Sequence, residues 1–249
     1  MPSPSPQPTL ARRLFVALDT ADLERAVALA EALEGAVGGI KIGLELYSSR
    51  GVEGVHRLAE LGLPVFLDLK LHDIPNTVAS AVRAVLPLQP FMLTVHASGG
   101  PAMMRAAAAA AGEAGEGRPR LMAVTVLTSL DDEDLARVGQ AGPVTEQALR
   151  LATLARDAGI DGAVCAPLEV ALLRRRLGAE FTLVVPGIRP AWVVPASEGT
   201  NDQKRTMSPA EAIAAGADYL VIGRPITLAR SPREAALRIA AEIAAEVAG

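Results

Sequence analysis

The segment at residues 64–77 (PVFLDLKLHDIPNT) brings two acids and a lysine close together in the sequence. Asp68 and Lys70 lie two residues apart in an apolar run, so on a β-strand their side chains point to the same face. Asp73 follows the run, just before the Ile-Pro pair that opens the next predicted helix. Because opposite charges favour each other's ionised forms, this spacing predicts a protonated lysine held beside ionised carboxylates.

A decarboxylation can use such a group. The reaction leaves a carbanion where the carboxylate was, and a fixed ammonium beside that carbon stabilises the charge and then delivers a proton. A fixed carboxylate repels the substrate carboxylate, and this repulsion is relieved as carbon dioxide departs. No iminium-forming or thiazolium-binding motif in the sequence offers another electron sink. The alternative interpretation is a buried ion pair, which usually stabilises a fold no better than apolar packing does.

Eight short apolar runs alternate with eight helical patterns, which is typical of βαβ units and a parallel sheet. The predicted strands are 13–19, 37–43, 64–70, 91–96, 120–127, 160–165, 181–186 and 218–223. The predicted helices are 21–34, 44–61, 76–88, 101–114, 143–158, 167–177, 208–215 and 231–247. Eight of each in 249 residues predicts a (β/α)8 TIM barrel, an α/β fold in a single domain. A doubly wound open sheet is the alternative, but the first strand–helix turn lacks the glycine fingerprint of dinucleotide-binding folds.

In a barrel of this kind the active site lies at the C-terminal ends of the strands. Polar residues interrupt the predicted strands there or follow them, at Asp19, Lys41, Asp68, Lys70, His96, Thr128, Arg189 and Arg224. Asp19 and Lys41 lie on neighbouring predicted strands. We expect them to join Asp68, Lys70 and Asp73 in one set of charges of alternating sign. Lysine is also rare here, with three among 24 basic residues. This favours a role that arginine cannot fill, such as proton transfer, although drift is an alternative.

Composition restricts the partners and the location. The net charge of −4 and the pI near 5.5 argue against nucleic acid or an anionic membrane as the main partner. No apolar run reaches the ~18–20 residues of a membrane span. The first residues lack the basic start and apolar stretch of a secretory signal, so we expect a cytoplasmic protein. Residues 1–10, with four prolines, predict a disordered tail before a catalytic barrel domain at 11–249.

The scarcity of some residue types predicts the core and excludes some kinds of site. Aromatic residues are only 3% of the chain, so we expect a core of Ala, Val, Leu and Ile. The single cysteine, Cys165, excludes an intrachain disulfide and a multi-cysteine metal site. The three histidines, His56, His72 and His96, lack the spacing of a metal site. We therefore expect no metal ion and no organic cofactor.

The segment DLKLHDIPNT at 68–77 resembles the signature of orotidine 5′-monophosphate decarboxylases, within their Asp-x-Lys-x-x-Asp superfamily. The resemblance extends, in family order, to ALD at 17–19, IKIG at 40–43, TVLTS at 125–129, PGIRP at 186–190, DQKR at 202–205 and VIGRP at 221–225. It implies cofactor-free decarboxylation of orotidine 5′-monophosphate to uridine 5′-monophosphate, the last step of de novo pyrimidine synthesis.

The resemblance assigns roles to the charged residues. Lys70 is similar to the family's proton donor, and Asp68 to the carboxylate that repels the substrate carboxylate. Lys41 resembles the lysine that holds the ribose and the neighbouring carboxylate. Asp19 resembles the acceptor of a ribose hydroxyl.

Other matched residues imply a shared site and a contact with the base. Asp73 and Thr77 resemble a pair that, in the family, reaches across a homodimer interface into the partner's site. Thr128 resembles a loop residue near the pyrimidine ring, and Ser129 is an equally plausible contact. Two roles remain open for His96, which either orders the site or contacts the pyrimidine ring.

The phosphate is expected at the loops after strands 7 and 8, where barrels of this type commonly bind it. These loops contain Arg189, Gly223 and Arg224, and glycine lets backbone amides approach an anion to which arginine donates. Gln203 matches a family glutamine that bridges phosphate and base. It lies in a Pro/Gly-containing stretch at 190–206, which is either a disordered loop or a lid whose path is left open.

Two other functions remain as alternatives. A metal-dependent superfamily enzyme acting on a sugar phosphate, such as 3-keto-L-gulonate 6-phosphate decarboxylase or hexulose-6-phosphate synthase, shares Asp-x-Lys-x-x-Asp but lacks the IPNT and DQKR segments. A non-catalytic binder of phosphate ligands on a barrel scaffold would lack Lys70 or Asp73, and both are present.

Overall fold

Eight parallel strands pair in chain order, and the last pairs with the first to close a barrel. They are β1 Leu14–Ala17, β2 Gly39–Ile42, β3 Val65–Leu71, β4 Met92–His96, β5 Arg120–Val124, β6 Gly162–Val164, β7 Thr182–Val185 and β8 Tyr219–Ile222. The structure is a computed structural model that describes residues 10–140, 142–192 and 207–248. The predicted (β/α)8 barrel is confirmed, and the open doubly wound sheet is excluded because β8 pairs with β1.

Helices lie between the strands and after the last one. They are α1 Leu23–Leu33, α2 Leu44–Ala59, α3 Pro75–Val85, α4 Gly100–Gly112, α5 Asp132–Arg137, α6 Val144–Asp157, α7 Val170–Leu177, α8 Pro209–Ala214, α9 Arg224–Thr227 and α10 Pro232–Ala248. The eight predicted helices are present within a few residues, and the short α5 and α9 were not predicted. The predicted tail, 1–10, lies outside the described residues except for Leu10, which begins a 3-10 helix at Leu10–Arg13.

The local sequence accounts for several helix starts. Asp22 caps α1 by accepting a hydrogen bond from the Arg25 amide at 3.2 Å. Ser208 caps α8 in a reciprocal pair with Glu211, an arrangement that satisfies two free amides at once. Pro75 occupies the first turn of α3, where its missing N–H removes no helical hydrogen bond.

The core has two layers of different composition. Between the barrel and its helices it consists mainly of Ala, Val, Leu and Ile, as expected. Inside the barrel, Phe15, Phe66, Phe91 and Tyr219 pack around one another, with ring centroids of Phe15 5.6–6.2 Å from the other three. The interior therefore departs from the expected Ala, Val, Leu and Ile, because filling the axis of an eight-stranded barrel requires large side chains.

Gly39 in β2 lies at a tight place in this interior. A Cβ there would lie 2.4 Å from a ring carbon of Phe15 and 2.3 Å from the carbonyl oxygen of Pro64. These distances are too short for any side chain, so the strand needs glycine at this position.

We expect Gly39→Ala to destabilise the fold by about 1–3 kcal/mol, as overpacked cores do. The matched control is Gly112→Ala at the end of α4, where no atom lies within 4 Å of the added carbon. The control is expected to be neutral or slightly stabilising, because alanine favours helix. Urea denaturation midpoints measure both changes, and equal midpoints for the two variants would contradict this account of Gly39.

Candidate active site

Strand β3 is irregular where it reaches the barrel mouth, the C-terminal end of the strands. Leu67 pairs with Leu93 and Leu71 with Val95, so three residues of β3 lie opposite one residue of β4. Lys70 in this bulge has a φ of 51°, in the left-handed region. That conformation costs an L-residue roughly 1–2 kcal/mol and persists only where the surroundings fix it. The predicted strand does extend through Lys70, but its register with β4 is interrupted there.

Four predicted residues meet at the mouth and form the charge array, defined here as Asp19, Lys41, Asp68 and Lys70. The Lys70 ammonium donates to Asp68 Oδ2 at 2.9 Å, and Lys41 Nζ lies 3.6 Å from the same oxygen. Lys41 Nζ also donates to Asp19 Oδ1 at 3.1 Å. Charges of alternating sign therefore run across β3, β2 and the loop after β1.

Asp68 is the most constrained member of the charge array, since it is buried and its carboxylate interacts with Lys41, Lys70 and Thr94. Burial alone raises the pKa of its carboxyl group. The charges of Lys41 and Lys70, with hydrogen bonds from Lys70 and Thr94, outweigh burial and hold this pKa below its ordinary value of 3.8. Asp68 is therefore ionised at neutral pH in a site that excludes most water.

Thr94 on β4 belongs to this site and was not predicted. Its buried hydroxyl donates to Asp68 Oδ1 at 3.0 Å and accepts from the Lys70 amide at 2.7 Å. The available signal was a polar residue inside the apolar run 91–96, two positions before His96 and therefore on the same face.

Asp73 and Thr77 lie outside the charge array of their own chain. Asp73 is exposed, and its carboxylate accepts a hydrogen bond from the Ile74 amide at 2.6 Å. Within the described part of the chain Asp73 forms no ion pair, so its expected place in the alternating set of charges stays a prediction. Thr77 is exposed in the first turn of α3, and Ile74 between them is 66% exposed. Among the described residues, neither side chain has a hydrogen bond or an ion pair with the charge array.

Two imidazoles stack beside the charge array. The rings of His72 and His96 lie 5.2 Å apart at an interplanar angle of 21°. Burial, together with the nearby His72 and Lys70, lowers the pKa of His96 below its ordinary 6.5. His96 Nδ1 accepts from the Ser98 amide at 3.4 Å. An ordering role for His96 fits this contact, while a contact with a substrate ring stays a prediction.

The predicted phosphate residues lie at the loops after β7 and β8. Arg189 is half-buried, and its amide donates to the Met207 carbonyl at 2.9 Å, which brings the chain after β7 beside the chain just before α8. Gly223 precedes α9, and a Cβ there would lie 3.9 Å from a carboxylate oxygen of Asp19. Arg224 is the exposed first residue of α9.

The remaining predicted contacts are less defined. Thr128 is half-buried in the turn that follows β5, and Ser129 beside it is exposed, so the choice between them stays open. Gln203 lies outside the described residues, as does the part of the predicted lid (190–206) from 193 to 206.

In the described ranges 10–140, 142–192 and 207–248, no group of three or more His, Cys, Asp and Glu side chains could hold a metal ion. No helix in those ranges is long and apolar enough to cross a membrane.

Several known proteins that are similar to this chain have the same name. A profile described as the orotidine 5′-phosphate decarboxylase / HUMPS family matches residues 12–239. A Rhodospirillum rubrum protein named orotidine 5′-phosphate decarboxylase is 56% identical over 235 residues, covering 92% of this chain and 93% of that protein. One of the same name from Paramagnetospirillum magneticum is 54% identical over 234 residues, covering 92% and 97%. The crystal structure of orotidine 5′-phosphate decarboxylase from Lactobacillus acidophilus aligns with a TM-score of 0.81 at 37% identity, covering 93% and 99%.

The depressed pKa of Asp68 predicts a pH-dependent contribution to stability. A carboxyl whose pKa is lower in the folded state stabilises the fold above its ordinary 3.8, and this contribution is lost as pH falls through the folded value. The free energy of unfolding of the wild type should therefore fall toward that of Asp68→Asn between pH 6 and about pH 3. Urea titrations at each pH measure the difference. The exposed substitution Glu116→Gln is the control, and a pH-independent difference for Asp68→Asn would refute the assignment.

Proposed function

This chain belongs to the orotidine 5′-phosphate decarboxylase / HUMPS family, and we propose that it converts orotidine 5′-monophosphate to uridine 5′-monophosphate and carbon dioxide with Lys70 as proton donor. The curated relatives at 54% and 56% identity support the decarboxylation, a reaction of pyrimidine synthesis. The observation that supports the roles of individual residues is the charge array, in which one buried carboxylate is shared by two ammonium groups.

The proposed chemistry breaks the bond between C6 of the pyrimidine and its carboxylate. The electron pair stays on C6, carbon dioxide leaves, and the Lys70 ammonium transfers a proton to C6. The neutral amine then regains a proton from solvent, which reaches the site because the Lys70 side chain is 31% exposed. Electrostatic stabilisation of the developing carbanion by a preorganised ammonium is the main contribution expected of the protein.

Asp68 is proposed to destabilise the bound substrate rather than to hold it. Its carboxylate is kept ionised by Lys41 and Lys70, so it repels a substrate carboxylate placed beside it. The repulsion ends when carbon dioxide leaves, and the transition state is therefore less affected than the ground state. Lys41 keeps Asp68 charged and in place while it binds the ribose together with Asp19.

The phosphate is proposed to bind beside Gly223 and Arg224, with Arg189 and Gln203 completing the contacts. Gly223 lies next to Asp19, so the proposed phosphate and ribose positions are adjacent, as in a nucleotide. Arginine donors form charge-assisted hydrogen bonds to phosphate. Thr128 is proposed to contact the base, with Ser129 as the alternative.

The family also includes sugar-phosphate enzymes, which are the second candidate. The relatives compared above have the decarboxylase name, which favours the nucleotide reaction. We propose that the activity needs neither a metal ion nor an organic cofactor. A cytoplasmic location is proposed because the substrate is a phosphate ester that does not cross a bilayer readily.

Lys70→Ala is expected to lower kcat by several orders of magnitude with a far smaller change in affinity for uridine 5′-monophosphate, because the proposed ribose and phosphate contacts lie on other strands. Lys70→Arg is expected to fail as well, since guanidinium keeps its proton too tightly. Loss of orotate-ring absorbance, measured with chelator present, reports turnover. In deuterated water the wild-type product should have deuterium at C6.

Arg83→Ala is the control, because it removes an exposed cation that pairs with Glu113 away from the mouth. Near-normal turnover by Lys70→Arg would show that charge alone suffices and that the proton has another source. Activity that chelation abolishes and magnesium restores would favour the sugar-phosphate alternative.

We also propose a homodimer with shared active sites. Asp73, Ile74 and Thr77 are exposed side by side at the start of α3, close in sequence to Lys70. Exposed carboxylate and hydroxyl groups flanking a large apolar side chain fit a surface that another subunit covers. The proposed role of Asp73 and Thr77 is to complete the partner's site.

Mixing inactive Lys70→Ala with inactive Asp73→Ala tests this sharing. After full exchange of an equimolar mixture, about half of the dimers are hybrids with one intact site, so about a quarter of wild-type activity should return. Native mass spectrometry measures subunit exchange independently. Demonstrated exchange without recovered activity would rule out shared sites, and each variant incubated alone is the control.

A further inference from the structure

We propose that Thr94 is a positioning residue that holds the proton donor and its carboxylate in the reacting geometry. This inference rests on the proposed role of Lys70. Thr94 is fully buried on β4, and its hydroxyl lies between the Lys70 backbone and the Asp68 side chain. It contacts two members of the charge array without being charged itself.

The direction of both hydrogen bonds follows from the atoms involved. A hydroxyl has one hydrogen to donate, and it accepts through its oxygen. The Lys70 amide can only donate, so Thr94 Oγ1 accepts from it at 2.7 Å. The single hydroxyl hydrogen is then directed at the ionised Asp68, 3.0 Å away. Thr94 therefore connects the backbone of the donor residue to the carboxylate that faces its ammonium.

The bulge in β3 explains why a side chain is needed for this task. Regular pairing with β4 is interrupted between Leu67 and Leu71, and the Lys70 amide finds its acceptor in a threonine hydroxyl rather than in a strand carbonyl. This bond helps fix the left-handed backbone of Lys70. Because the ammonium is at the end of that residue, its position depends on the backbone conformation. Misplacement by about 1 Å is enough to cost a catalytic group a hundredfold in rate.

Thr125 provides a comparison within the same barrel. It follows β5, is equally buried, and its hydroxyl donates to the Val164 carbonyl at 2.9 Å. Neither partner of that bond is charged. Loss of the Thr125 hydroxyl therefore reproduces the cost of removing a buried hydroxyl from this barrel without touching the charge array.

The experiment compares Thr94→Val, Thr94→Ala and Thr94→Ser with Thr125→Val. Thr94→Val keeps the shape and removes the hydroxyl, and we expect kcat to fall about tenfold to a hundredfold, the range for one hydrogen bond to a charged group. KM and the affinity for uridine 5′-monophosphate should change by less than about threefold, because Thr94 touches none of the proposed ribose or phosphate residues.

The alanine and serine variants form a matched pair, since both lack the methyl group and only serine keeps the hydroxyl. Serine should restore kcat to within about threefold of wild type and alanine should not, which separates hydrogen bonding from packing. Thr125→Val should keep kcat within about twofold despite a similar loss of stability. If Thr94→Val fails to fold, the comparison of Thr94→Ala with Thr94→Ser still shows whether the hydroxyl is needed for kcat.

Three outcomes would overturn the proposal: unchanged kcat in Thr94→Val, equal losses in Thr94→Val and Thr125→Val, or equal losses in Thr94→Ala and Thr94→Ser. Failure of the proposed function is distinguishable, because the wild type would then not decarboxylate orotidine 5′-monophosphate, or Lys70→Ala would remain active. An active wild type, an inactive Lys70→Ala and a normal Thr94→Val would refute only the role of Thr94.

Discussion

The ionised carboxylate of Asp68 imposes the constraint to which the rest of the barrel mouth conforms. Removing a carboxylate from water costs several kcal/mol unless charge partners and hydrogen bonds compensate. Both of its oxygens are therefore occupied, one by Lys41 and Lys70 and the other by Thr94. Satisfying this one group places two ammonium groups and fixes the end of β3, so that the geometry of the site follows largely from it.

The barrel provides what this arrangement requires. Parallel strands end at one rim, so residues from β2, β3 and β4 reach the same carboxylate although they are far apart in sequence. Beneath Asp68, the same face of β3 presents Phe66, which packs in the aromatic interior. A packed floor keeps water from reaching the array from below, and interactions between charges are stronger where water is excluded. Four of the seven aromatic residues of the chain thus lie in this interior.

The sequence was sufficient for the architecture and for the main charges, because both depend on short-range patterns. Alternating strand and helix patterns predict a barrel, and a polar residue at the end of an apolar run can be recognised from the sequence alone. The left-handed Lys70 could not be predicted, since an ordinary strand pattern surrounds it and its acceptor, Thr94, is on another strand. Asp73, three residues further along the chain, is exposed, and its spacing from Lys70 does not define how far its carboxylate lies from the charge array.

The burial of the charge array also separates two requirements that oppose each other. A carboxylate that destabilises substrate must stay dry, because water would screen its charge, whereas a proton donor must reach solvent to be reprotonated. The exposed fraction of the side chain is 12% at Asp68, 31% at Lys70 and 60% at Asp19. The exposure of Lys70 is therefore intermediate between those of Asp68 and Asp19, and its ammonium contacts the buried carboxylate of Asp68. In a flat surface cluster all of these groups would be equally hydrated, and the pKa of the Asp68 carboxyl would lie near its ordinary value. The depth of the barrel mouth therefore allows neighbouring acids and bases to differ in their exposure to water.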